Sequence, residues 1–314
     1  MKIIISPAKK MNIREDELEW ADLPCFLSRA EELKKYIQGL DLEQARKLWQ
    51  CNETIARLNY RRFQDMDLER RLTPALLSYE GIQYQYMAPG VFEQGQWDYV
   101  QEHLRILSGF YGILKPLDGI VPYRLEMQAK VELPSGIKSL YDYWGSAICR
   151  ELAADETLIV NLASKEYSRA VEPYLEAHID YVTCVFGTPS EDGKGGFKVK
   201  VKATEAKMAR GEMVRFMAER ASGTRRVLRS LTVWDMATAR RNPGIRNTCL
   251  SNSESSKAGT CMPARRTGPF SRSGFQANII AKSFSGVEMG WISNCSTRYP
   301  SMAGERKAGR VGPR

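Results

Sequence analysis

The sequence predicts a mixed α/β fold: one domain with a mixed sheet over residues 1–219, followed by an irregular or disordered tail over 220–314. Two observations predict it. Apolar segments of strand period alternate with segments of helical period as far as Glu219, without an intervening linker. Beyond Glu219, Ser, Arg and Gly dominate and the apolar residues lose their period.

Element by element, Lys2–Ile5 is a β-branched run read as a buried strand, stopped by Ser6-Pro7. Ser28 and Glu31 have capping-box spacing, Leu33, Tyr36 and Ile37 follow at helical spacing, and Gly39 closes the helix. A second helix is expected from Asp41 to about Asn59, a short one over Trp97–His103, and a strand end at Arg105–Gly109. Tyr141, Trp144, Ile148 and Leu152 form one stripe of a helix over 140–153. Thr157–Asn161 reads as a strand and Glu166–Glu176 as a helix. Asp180–Phe186 and Gly196–Val201 read as an antiparallel pair, with Lys198, Lys200 and Lys202 on one face. Thr204–Glu219 reads as a last helix. No internal repeat is present.

Charge divides along the same line. The chain carries a formal +9, but residues 220–314 hold 17 Lys+Arg and 4 Asp+Glu, a surplus of +13, leaving 29 and 33 in residues 1–219, or −4. The high overall pI is therefore the tail's, and any anionic partner of the body must be met by local clusters. Four scattered body cysteines without a C-x-x-C suit reduced thiols. Met1–Ile5 lacks the form of a signal peptide, and no apolar run approaches the roughly 20 residues of a membrane span. A cytoplasmic monomer without membrane contact is expected.

Five constellations carry chemistry. Ser6-Pro7-Ala8-Lys9-Lys10 leaves a strand into a turn, where two lysines can meet an anion or simply be solvated. Over 107–116, Ser108, Gly109, Gly112 and Lys115 describe a tight apolar loop; it reads either as a close-packed turn or as a helix-hairpin-helix element offering N–H groups to phosphate. Arg124 and Glu126 share a face of an extended segment, as an ion pair or as a cation and carboxylate for one ligand. Asn161, Ser164 and Lys165 lie where a strand ends and a helix opens, so Ser164 either caps that helix or joins an anion site. Lys207 and Arg210 are neighbours on the last helix. No HExxH, Walker A loop, GxGxxG or paired Glu-x-x-His occurs, so no metal site and no cofactor is expected.

Taken together, SPAKK (6–10), HLRILSGFYGILKPLDGIVPYRLEM (103–127), LYDYWG (140–145), NLASKEY (161–167) and KMARGEMVRF (207–216) resemble the YaaA family of peroxide-stress proteins. The resemblance implies an unusual mixed α/β fold and a cytoplasmic role in limiting hydrogen peroxide damage by holding down unincorporated iron. It also implies non-specific binding of double-stranded DNA through a basic cleft and a helix-hairpin-helix element. The residues carried over are Lys9, Arg124, Glu126, Asn161, Ser164, Lys207 and Arg210, while Lys9, Arg124 and Glu126 remain the candidates for catalysis. The alternative is an enzyme acting on a nucleotide or phosphorylated small molecule, with Lys9 and Lys165 on phosphate and Glu126 as acid or base.

Family members continue past the last helix with a segment of the form NPE-x-L-x-x-F-D-R-L-G-Y, which this chain lacks in frame. Trp234-Asp235-Met236, read two bases later, gives Leu, Val or Met, then Gly, then Tyr or His, then Gly, and permitted codons extend Glu219–Ala239 to TGIRDPEGVKEFDRLGYGYR. The tail is therefore expected to be an out-of-frame translation that cuts the family domain short. A coding DNA that no single-base change near codon 219 restores would refute this.

Overall fold

The computed structural model describes residues 1–14, 17–191, 197–223, 279–283 and 290–292. In chain order the elements are β1 (Lys2–Ile5), β2 (Lys10–Met11), α1 (Leu27–Gln38), α2 (Leu42–Trp49), α3 (Glu53–Gln64), β3 (Thr73–Pro74), α4 (Ala75–Ser78), β4 (Tyr79–Glu80) and α5 (Ile82–Met87). There follow α6 (Gln94–His103), β5 (Leu104–Ser108), β6 (Gly112–Leu114), β7 (Gly119–Ile120), α7 (Leu140–Trp144), α8 (Ala147–Ala153), β8 (Leu158–Asn161) and α9 (Lys165–Ser168). The last are β9 (Asp180–Phe186), β10 (Thr188–Glu191), β11 (Phe197–Lys200), α10 (Ala203–Gly223), β12 (Ile279–Ser283) and β13 (Gly290–Ile292).

The central sheet has the order β13-β12-β9-β8-β1-β5-β6. β1, β5, β8 and β9 run parallel, and β6, β12 and β13 add antiparallel edges, so the sheet is mixed. Ile3, Ile4 and Ile5 are fully buried, as an uninterrupted β-branched run requires when parallel neighbours flank it and its faces are covered. From β1 the chain leaves for β5 on one side and later returns to β8 on the other. The strand order therefore reverses at β1, and the carboxyl ends of β1, β5 and β8 open on one rim. A crevice at such a rim is the usual ligand position in open α/β sheets.

Several local expectations shift. The 41–59 helix is two: Asp41 caps α2 in a reciprocal box with Gln44, Gln50 turns left-handed at φ 46°, and Asn52 caps α3. The predicted box at Ser28 is absent, because α1 already begins at Leu27 behind Phe26, which provides no side-chain cap. The 140–153 helix breaks at Gly145, at φ 49°. The 166–176 helix shortens to α9 and a 3-10 turn at Glu172–Tyr174. β11 pairs with β10, not with β9.

The long α10 packs on α5, α6 and β9. It can approach α5 because Gly211 has no side chain: a Cβ there would lie 2.0 Å from the Gln83 carbonyl oxygen. Of the residues predicted to be an irregular tail, those described after α10 are β12, antiparallel to β9, and β13 beside it; the remainder lies outside the described residues. No helix among the described residues is long and apolar enough to cross a membrane.

Candidate functional site

Ser6 ends the strand run of β1 and Ser164 follows β8. Ser6 Oγ accepts the Ser164 backbone N–H at 2.8 Å and donates to Ser164 Oγ at 3.1 Å. Ser164 is thus the N-cap of α9 by position, but its hydroxyl is engaged by Ser6 and makes no cap bond. Asn161 is buried and its roles are internal: Oδ1 accepts Ala163 N–H at 2.8 Å, and Nδ2 donates to Thr183 Oγ1 at 3.2 Å.

Lys9 emerges from the turn after β1 and places Nζ 2.7 Å from Glu126 Oε2. Arg124 Nη2 donates to Glu126 Oε1 at 3.2 Å, so the extended pair does meet and Lys9 joins it from another part of the chain. Lys9 is 64% exposed, whereas Arg124 and Glu126 are 11% and 16% exposed, and Arg124 Nε is buried without a hydrogen-bond partner. The segment bearing them is pressed onto the β5–β6 turn, where a Cβ on Gly109 would stand 2.6 Å from the Leu125 carbonyl.

Sequence reasoning missed Glu166. Its carboxylate accepts the Gln128 N–H at 3.4 Å, and its carbonyl accepts the Tyr141 hydroxyl at 2.8 Å. Burial pushes its carboxyl above the ordinary value; the nearby Glu126 charge adds to the rise, and the Gln128 N–H and Lys9 oppose it. Nothing in the local pattern marks it, since its importance comes from the 122–128 segment crossing in front of α9. Cys51, in the α2–α3 turn, also feels Arg124 and Glu126, and its thiol is raised chiefly by burial.

Other predicted residues lie apart. The 107–116 segment is strand, turn and strand, with no helix on either side of the turn, and Ser108, Gly109 and Gly112 are buried. Ser108 Oγ takes the N–H groups of Phe110 and Tyr111 at 3.1 and 2.9 Å, so these amides are turned inward and do not face a phosphate. Gly112 is needed for another reason: at φ 76° its missing side chain makes room for Trp144. Lys115 lies beyond β6, at the amino-terminal end of β5 and far from the rim, 3.6 Å from Asp22. There Leu23, Cys25, Arg105, Lys115, Asp118 and Glu151 line a cavity of about 50 Å³.

Lys10 pairs with Glu80 at 2.6 Å, and Lys165 pairs with Glu172. Lys207 is exposed on α10; Arg210 is mostly buried near Cys184, its Nε has no hydrogen-bond partner, and burial lowers its guanidinium. The side chain of Lys198 lies outside the described residues, and Lys202 pairs with Glu205 at 2.8 Å beyond the end of β11. The structure therefore brings together Lys9, Arg124, Glu126, Ser6, Ser164 and Glu166. Among the described residues no cluster of His, Cys, Asp and Glu has the form of a metal site.

The chain resembles known proteins over most of its length. Residues 1–236 match the family described as "Peroxide stress protein YaaA". The UPF0246 protein of Desulfitobacterium hafniense is 57% identical over 221 residues, covering 70% of this chain and 86% of the relative. The UPF0246 protein of Lachnoclostridium phytofermentans is 53% identical over 219 residues, covering 70% and 84%. That of Pediococcus pentosaceus is 50% identical over 218 residues, covering 69% and 84%.

Proposed function

This chain belongs to the YaaA peroxide stress protein family, and we propose that it limits peroxide damage by holding down unincorporated iron while binding double-stranded DNA non-specifically through the β1–β8 rim. The observation that carries the DNA reading is the convergence of Lys9 and Arg124 at the open carboxyl end of the sheet, with the Lys9 and Lys165 ammonium groups reaching solvent. Phosphate-backbone binding needs such cations and no base-reading element. The iron-limiting role rests on the family alone. Within this reading the chain acts as a cytoplasmic monomer whose activity lies in residues 1–219, and the 220–314 tail is an out-of-frame extension.

The full chain tests the DNA reading, provided wild type and variant carry the same tail. Lys9→Ala with Arg124→Ala should lower the log–log slope of affinity against salt by about 1 for each phosphate no longer neutralised. Equal slopes would remove the rim from DNA binding.

A second reading is favoured by the carboxylates Glu126 and Glu166 beside the paired hydroxyls of Ser6 and Ser164: catalysis on a nucleotide or phosphorylated small molecule. Under it, Glu126→Gln with Arg124→Ala abolishes turnover of any substrate found by a metabolite screen. Full retention excludes Glu126 from the chemistry.

A further inference from the structure

In the cluster on the rim, the two cations best placed to receive an anion are already occupied, and by a group of the protein itself. Lys9 Nζ stands 2.7 Å from one oxygen of Glu126 and Arg124 Nη2 stands 3.2 Å from the other. The two cations reach Glu126 from different parts of the chain, and Lys9, 64% exposed, is free to swing. A phosphate oxygen pair approaching the rim would present the same two acceptors to the same two donors. The guanidinium also keeps a buried Nε without a partner, a donor that Glu126 does not satisfy. Such an unmet donor is a cost in the ligand-free protein and a gain for any ligand that reaches it.

We propose that Glu126 is an internal competitor that occupies the place of a ligand phosphate on Lys9 and Arg124, and that phosphate binding displaces it toward Glu166 with uptake of one proton. The inference rests on the reading of the rim as a phosphate site and goes beyond it by naming what must leave.

Proton uptake follows from the charges that face the displaced group. Around Glu126 stand Lys9 from the turn after β1, Arg124 from its own segment, Cys51 from the α2–α3 turn, and Glu166 and Tyr167 from α9. Around Glu166 stand Glu126, Lys9, Tyr141 and the Gln128 N–H. When phosphate takes Lys9 and Arg124, Glu126 loses both cations and gains a dianion as neighbour. Two carboxylates then face each other with no cation to spare, and sharing one proton is the low-energy arrangement. The balance is one phosphate and one proton in, with no covalent bond made or broken. Binding should therefore tighten as pH falls toward 6, down to the point where phosphate itself loses its second charge.

Isothermal titration calorimetry of O-phosphoserine, a phosphate monoester that is largely dianionic at pH 7 because its second pKa is about 6, into the full chain, in two buffers of unlike ionisation enthalpy, measures the affinity and the protons taken up. The wild type should take up close to one proton at pH 7, and Glu126→Gln should bind about tenfold more tightly with the uptake largely lost. Lys9→Ala in the same background should abolish that gain, which separates the rim from the basic tail. Wild-type binding without proton uptake, or a Glu126→Gln protein that binds no more tightly, overturns the competitor and leaves the phosphate site standing. No binding by either protein overturns the phosphate site itself. The buffer dependence needs no variant, so it decides the matter even if Glu126→Gln fails to fold.

Discussion

Ser6 Oγ is both the acceptor for the Ser164 backbone N–H, at 2.8 Å, and the donor to the Ser164 hydroxyl, at 3.1 Å. One side chain thereby ties the turn that launches Lys9 to the turn that launches Glu166, across two parallel strands. The Ser6 carbonyl is held in addition by the Tyr84 hydroxyl at 3.0 Å. Ser6→Ala should cost about 1–2 kcal/mol, because it leaves a part-buried N–H without its acceptor. Ser164→Ala removes only a hydroxyl that accepts from Ser6 and should cost about 0.5–1 kcal/mol. Urea midpoints for the two variants check the order; equal losses would mean that the N–H of Ser164 is satisfied some other way.

Gly211 sits where α10 crosses α5, and an added Cβ would fall 2.0 Å from the Gln83 carbonyl oxygen and 2.9 Å from the Met87 nitrogen. Both neighbours are backbone and cannot rotate away. Gly211→Ala should destabilise by at least about 1–3 kcal/mol despite the better helix propensity of alanine. Gly90→Ala, with nothing within 4 Å, is the matched control and should stay within about 0.5 kcal/mol. Thermal melts of the two proteins should differ clearly; a neutral Gly211→Ala would mean the helices separate at little cost.

How much of this was legible depended on whether a feature was local. β1 could be read to the residue, because Lys2–Ile5 is β-branched throughout and ends at a Ser-Pro stop. The Arg124–Glu126 pair was legible too, since residues two apart share a face of an extended segment. Lys9 joining that pair was not, as it depends on β1 lying between β5 and β8. The 107–116 loop left two readings open, because glycines beside aromatics describe any tight turn; the close-packed turn is the one present, and the helix-hairpin-helix reading is not. Only the packing of Gly109 on Leu125 shows that this one is internal. The break between α2 and α3 was missed because Gln50 adopts a left-handed conformation without being glycine or asparagine.

Asp118 should make stability depend on pH. The residue is 3% exposed, one carboxyl oxygen has no partner, and the other accepts the Lys115 N–H at 2.9 Å. Burial raises its carboxyl from 3.8 to about 7, with that N–H, Lys115 and Arg105 opposing. Between these values the folded chain binds a proton that the unfolded chain has lost. The contribution is thus full below 3.8, declines as pH rises to about 7, and is gone above that. Asp118→Asn keeps an acceptor for Lys115 and removes the charge. It should stabilise the protein by about 1–3 kcal/mol at pH 8 and by little at pH 4. Denaturation at the two pH values checks the sign; a larger gain at pH 4 would contradict it.

The outer edge of β9 leads to the last prediction. β8 occupies one side of this strand and β12 the other, with Ile279 opposite Phe186 and Ser283 opposite Val182. Tyr181, Cys184 and Phe186 are buried, so β9 belongs to the core while its outer ladder depends on a segment almost a hundred residues away. A chain ending at Gly223 would leave that row of N–H and C=O groups open, the arrangement that invites strand pairing between molecules. Such a chain should associate where the full chain does not, as light scattering on a sizing column would show. Ala281→Pro tests the same pairing without truncation, since proline has no N–H for the ladder. The amides of Val182–Phe186 that face β12 should then exchange with solvent at least about tenfold faster, while the alternate ones that face β8, and those of β1 and β8, keep their rates. Unchanged exchange at β9 would mean that residues 279–283 do not protect this edge, and that the sheet is complete without the tail.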